Sequence, residues 1–175
     1  MDVETFWKII ERSRADFDPR RRDGNQARQV RQLEKLLGAL PPDEIVAFEE
    51  ERIRRMARAY RWDLWAAAYM IQGGCGDDGF MDFRAWLISM GRDVYEAALR
   101  DPESLLDVAE APGVEVTVFE DIAYVASTIY EKKTKQTIPD TRVKQPSEPV
   151  GKNWSDEDLP RRFPKLWARY GSELG

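Results

Sequence analysis

Ten consecutive residues, Trp62-Asp63-Leu64-Trp65-Ala66-Ala67-Ala68-Tyr69-Met70-Ile71, carry one charge between them. Three successive alanines, with no glycine or proline, favour a helix. A helix apolar on nearly every side has no stripe to offer to water. This one is also too short to cross a bilayer, which takes about 20 such residues. It must therefore be surrounded by other helices, and the rest of the chain has to supply them.

The remaining sequence predicts those helices. Phe6, Ile9 and Ile10 form a first stripe, with Trp7 beside it and Asp2 placed as an N-cap. Residues 15–24, with Pro and Gly among charges, predict a loop. Val30, Leu33, Leu36, Leu37 and Leu40 then fall at helical spacing over residues 25–39. Pro41-Pro42 stops that helix, and Pro42-Asp43-Glu44 opens a third, because a first turn tolerates proline and favours carboxylates. Its stripe is Ile45, Phe48, Ile53, Met56 and Tyr60. The other face holds Glu49, Glu50, Glu51, Arg54, Arg55 and Arg58, including the i,i+4 pairs Glu50–Arg54 and Glu51–Arg55.

Glycines at 73, 74 and 76 end the apolar helix, and Asp77 or Asp78 is expected to cap the next. That helix runs to Met90 on Phe80, Phe83, Trp86 and Leu87. Residues 92–100 continue the pattern after Gly91, and Asp101-Pro102 restarts it. Val114, Val116 and Val118 alternate as in a strand, but no partner strand is evident, so this stretch is expected to be an extended connector. A last long helix is predicted over 119–133.

The expected fold is all-α: a single-domain orthogonal bundle of about six or seven helices over 1–133. Residues 134–153, with Pro139, Pro146 and Pro149, predict an extended arm. Residues 154–175 carry Leu159, Phe163, Leu166, Trp167 and Tyr170, too apolar for a free tail, and are expected to dock back on the body.

Absences exclude several chemistries. The 175 residues contain no histidine and one cysteine, Cys75. A Ser-His-Asp triad, a Cys-His dyad and a zinc site of several Cys and His ligands are therefore impossible, as is an intrachain disulfide. The net charge is −5. Residues 61–130 hold 4 Lys/Arg against 13 Asp/Glu, a balance of −9. That block repels nucleic acid and anionic membranes and attracts cations or a basic partner. The acidic N-terminus lacks a signal-peptide pattern, and a cytoplasmic protein is expected.

Three stretches hold the candidate chemistry. Gly73–Arg84 is glycine-rich, but Asp77 and Asp78 would repel a phosphate, and the Lys and Ser/Thr of a P-loop are missing. Asp78 and Asp82 lie one helical turn apart, a candidate pair for a divalent cation. Their other reading is a cap and an ion pair. Cys75 precedes a helix start, but the nearby aspartates oppose thiolate formation, so a buried, inert thiol is expected. Finally, Asp63 and Arg84 are candidates for a buried ion pair. Together with Trp65, Tyr69, Asp77, Asp78, Asp82 and Trp86 they compose an acidic, aromatic-walled ligand site.

Several of these stretches also resemble a known family. They are Phe6-Trp7-Lys8-Ile9-Ile10, Leu40-Pro41-Pro42-x-Glu44-Ile45-x-Ala47-Phe48, Tyr60-Arg61-Trp62-Asp63-Leu64-Trp65-x-Ala67-Ala68-Tyr69, Gly74-Cys75-x-Asp77-Asp78-Gly79-Phe80, Phe83-Arg84-x-Trp86-Leu87-Ile88 and the closing Phe163-Pro164-x-Leu166-Trp167. The family is the bacterial domain-of-unknown-function family 4240. The resemblance implies a small single-domain bacterial protein and no particular activity or cofactor. From the residues, a non-enzymatic binding module for a small molecule or a basic protein is expected. The alternative is a carboxylate-based enzyme, with or without a divalent metal.

Overall fold

Asp2 starts the first helix as expected, its carboxylate accepting from the Thr5 amide at 2.7 Å. The structure is a computed structural model that describes residues 1–174. Helix α1 (Val3–Ser13) buries Phe6, Trp7, Ile9 and Ile10. Helix α2 (Asn25–Gly38) follows the predicted loop and seals Leu33 and Leu37 inside. Helix α3 (Pro42–Arg58) begins at the proline, with Asp43 and Glu44 in its first turn. Next comes α4 (Trp62–Gln72), the apolar run, in which Leu64, Ala66, Ala67, Ala68 and Met70 have no accessible surface. None of its residues is exposed. Gly73, at φ 65°, ends it in a left-handed conformation that glycine adopts without strain.

Helices α5 (Asp77–Ser89) and α6 (Arg92–Arg100) are separated by Gly91 at φ 96°. A 3-10 turn over Pro102–Leu105 is capped by Asp101, and α7 (Leu106–Ala109) completes it. The 119–133 prediction divides into a 3-10 turn, Asp121–Tyr124, and α8 (Val125–Thr134). The chain is all-α. Eight α-helices cover the stretch for which six or seven were expected, because the chain breaks into short pieces after α6.

Val114–Val118 is the predicted connector. Side-chain amides take the place of a partner strand: Gln26 Nε2 donates to Val118 O at 2.8 Å, and Gln72 Nε2 donates to Thr117 O at 3.3 Å. One sequence expectation about α3 needs correction. Its polar face is partly interior, with Glu49 and Glu51 buried and paired to Arg52 at 2.6 Å and Arg55 at 2.5 Å. Buried carboxylates need such partners.

After α8 the chain runs extended to Val150. There it pairs with the start of α4, donating to Tyr60 O at 2.9 Å and accepting from Trp62 N at 3.0 Å. Ser155 and Asp158 form a capping box over the acidic turn. Two short helices follow, α9 (Leu159–Arg162) and α10 (Pro164–Tyr170), and α10 packs against α4. Leu159 and Leu166 are fully buried, with Phe163 and Tyr170 nearly so. Each such side chain contributes roughly 1.5–3 kcal/mol. The amides that open α10 have a distant acceptor: Glu103 Oε1 receives Lys165 N at 2.6 Å and Leu166 N at 3.3 Å. A carboxylate there satisfies two otherwise orphaned donors and faces the positive end of the helix.

Two outcomes follow. Deleting residues 154–175 lowers the melting temperature and raises binding of a hydrophobic dye; an unchanged melting temperature and unchanged dye binding contradict the docking. Glu103→Ala costs about 1 kcal/mol, the usual loss for a helix cap. It also speeds amide exchange over residues 159–170 before the rest of the body, and uniform exchange contradicts the role given to Glu103.

Candidate functional site

The turn from α4 to α5 places the glycine-rich candidates. Asp77 and Asp78 do not cap α5. Gly76 is its N-cap, and the aspartates are its first two residues, exposed to solvent. The Gly76 carbonyl accepts from Phe80 N at 2.9 Å, so the helix starts without a side-chain cap, and the carboxylates complement its dipole. Cys75 is half-buried rather than fully buried. Its carbonyl receives Trp65 Nε1 at 2.9 Å. Burial, then the charges of Asp77 and Asp82, push its thiol up to about 11, where it is inert at neutral pH.

Asp63 and Arg84 do not pair. Asp63 is held by Arg61, at 2.6 and 2.9 Å, because a side chain two residues away reaches it directly. Arg84 spends its fork elsewhere. It donates to Met56 O at 3.0 Å and Phe80 O at 3.3 Å, and lies 4.6 Å over the Tyr60 ring and 5.0 Å over that of Phe80. Among the described residues it forms no ion pair with a carboxylate, and its burial lowers its proton affinity. The aromatic candidates are packing groups. Trp65 stacks between Trp62 and Phe80 at 5.3 and 4.9 Å, Tyr69 meets Trp154 of the docking segment at 4.9 Å, and Trp86 lies in the core beside Phe83.

Of the eight candidate residues, the structure brings Asp82 and Arg84 to one concavity. It is a groove of about 460 Å³ between α3, α5 and the Asp121–Tyr124 turn leading into α8. Ile53, Met56 and Ala85 give it apolar walls. Met81 and Tyr124, exposed at 45% and 55%, stand on its rim, and they are two of the five large hydrophobic side chains that remain exposed among the described residues. Glu49 and Arg52 close one side as a bidentate pair at 2.6 and 2.8 Å. Glu120 also lines the groove and accepts from Tyr124 Oη at 3.0 Å. The Asp82 carboxylate has no hydrogen bond or ion pair among the described residues. Partial burial, then Glu120 and Asp78, raise its pKa above the ordinary carboxylate value.

Glu49, Arg52, Glu120 and Tyr124 were not singled out from the sequence. Phe119 N donates to Asp82 O at 3.2 Å, a tertiary contact that seats Glu120 in the groove and leaves no trace in local pattern. As for the metal candidates, no group of three or more acidic or cysteine ligands converges among the described residues. Asp78 and Asp82 by themselves would leave most of a divalent ion's oxygen shell to water.

A family model described as protein of unknown function (DUF4240) matches residues 1–132. The chain belongs to this family. No curated protein and no solved structure matches it. The DUF4240 match runs from the first residue into α8, so Asp82, Arg84 and Glu120 fall inside it, while the arm and its docking helices follow it. The DUF4240 description transfers no activity, and function has to be read from the groove.

The raised pKa of Asp82 has a stability consequence of definite sign. The folded protein binds this proton more tightly than the unfolded chain does. Stability from this group is therefore lost as pH rises from the unfolded carboxylate value, near 4, through the folded one. Asp82→Asn accordingly raises the melting temperature at pH 7, and its advantage shrinks below about pH 4, as thermal scans at the two pH values can show. A variant less stable at pH 7 would mean that the ionised carboxylate has a stabilising partner.

Proposed function

We propose that this chain is a non-enzymatic, cytoplasmic binding module whose groove between α3, α5 and α8 holds a small molecule. The carrying observation is the coincidence, in one concavity, of apolar walls, an exposed apolar rim and a carboxylate without a partner. Most ligand sites join an apolar lining to a few convergent polar groups, in volumes of about 300–1,000 Å³, and this groove lies in that range. Its uncompensated Asp82 costs the fold stability, as groups kept for binding commonly do. Six of the eight candidate residues divide into two roles. Asp82 and Arg84 belong to the site; Asp63, Trp65, Tyr69 and Trp86 maintain the body that presents it.

No helix among the described residues is long and apolar enough to cross a membrane. The acidic balance of residues 61–130 argues against nucleic acid as the ligand.

A second reading draws on the same carboxylate. Asp82, with its raised proton affinity, has the character of a general acid or base, and Arg84 lines the same groove. In that case Asp82→Asn leaves ligand affinity in place and abolishes turnover.

Native mass spectrometry of the protein gently purified from its own host tests the main reading. Expected is an extra mass of small-molecule size, lost when Ala123→Phe fills the groove. Co-purification of a second polypeptide in its place contradicts a small-molecule module.

A further inference from the structure

Ionic groups in the groove are unequally satisfied, and that inequality selects an occupant. Arg52 is consumed by Glu49, a pair with side chains only 12% and 11% exposed. Arg84 is engaged by two backbone carbonyls and two aromatic rings. Asp82 and Glu120 remain, both lining the groove and close enough to feel each other's charge, and among the described residues no cation pairs with either. Glu49, Asp82 and Glu120 against Arg52 and Arg84 leave one uncompensated negative charge. Asp78, one turn before Asp82, adds to the same field. A neutral ligand would leave the carboxylates repelling each other, and an anion would worsen that repulsion. An ammonium or guanidinium group neutralises it.

The apolar half of the groove sets the rest of the ligand. Met81 and Tyr124 are exposed at its rim, above Ile53 and Met56. A thioether and an aromatic face both attract a cation's alkyl stem or the cation itself. The arm reaches the groove through Gln145 and helps to bound it. The volume suits one small molecule.

We propose that the groove binds a small organic cation, an amine or guanidine on a short apolar body, with Asp82 and Glu120 receiving the charge and Met81 and Tyr124 the body. This rests on the groove being a binding site, as argued above.

Three probes of matched body and different charge test it: hexylamine, hexanol and hexanoate. Each is titrated into the full chain while the Met81 methyl and Tyr124 ring resonances are followed, with calorimetry for affinity. Hexylamine is expected to bind roughly tenfold tighter than hexanol, with hexanoate weakest, as two partly exposed carboxylates allow. Asp82→Asn and Glu120→Gln, separately and together, bring hexylamine toward the hexanol value. Each variant's melting curve confirms that it folds, and hexanol binding confirms that its groove is intact. Hexanol or hexanoate binding as tightly as hexylamine overturns the cation assignment and leaves the groove standing. A lysine-containing pentapeptide that binds tighter than hexylamine overturns the small-molecule assignment in favour of a protein side chain. If no probe moves Met81 or Tyr124, the groove itself is not a site and both claims fall.

Discussion

The need to cover α4 on every side organises this molecule. Its small faces, Ala66, Ala67 and Ala68, allow neighbours to approach closely, and all three lose their solvent entirely. The body supplies α5 and the Pro102–Leu105 turn; the arm supplies the backbone pairing at Val150, and the docking segment after it supplies α10. The groove between α3, α5 and α8 is bounded in turn by Gln145 of the arm.

Distant charged side chains fasten these helices at their ends. Gly24 offers α2 no cap, so Glu115 Oε1 accepts from Gln26 N at 2.8 Å. Lys133 serves the opposite end of α2, donating to Gly38 O and Leu40 O at 2.7 and 2.8 Å. Glu103 does the same for α10. These bonds tie segments 62 to 95 residues apart. Each satisfies backbone groups that would otherwise need water, so the caps couple local helix formation to the tertiary fold.

Periodicity made the body legible in the sequence. The stripes of α1 through α6, the αL turn at Gly73, the Asp101 cap and the burial of Leu159, Phe163, Leu166 and Tyr170 all follow from residue spacing and turn chemistry. The site was legible only in part. Asp82 and Arg84 are conspicuous as charges on an apolar helix, and both line the groove. Their company was not visible, because Glu120 arrives through the contact of Phe119 with Asp82, 37 positions back in the chain, and Glu49 lies on a helix face that looks solvated in sequence but is buried in the fold. Aromatic density misled in the opposite direction. Trp65, Tyr69 and Trp86 are bulky groups next to acids in sequence, but their rings are spent on stacking within the body. Asp63 shows the same lesson: the arginine two residues away wins over one on another helix.

The functional account depends on the groove holding something that answers the charge of Asp82 and Glu120. A crystal structure of the protein taken from its own host, without displacing what it carries, tests this most directly. The account predicts density for a small molecule between Met81 and Tyr124, its polar end within hydrogen-bond distance of both carboxylates. A groove filled by its own side chains, or an Asp82 paired with a cation of the chain itself, would contradict it.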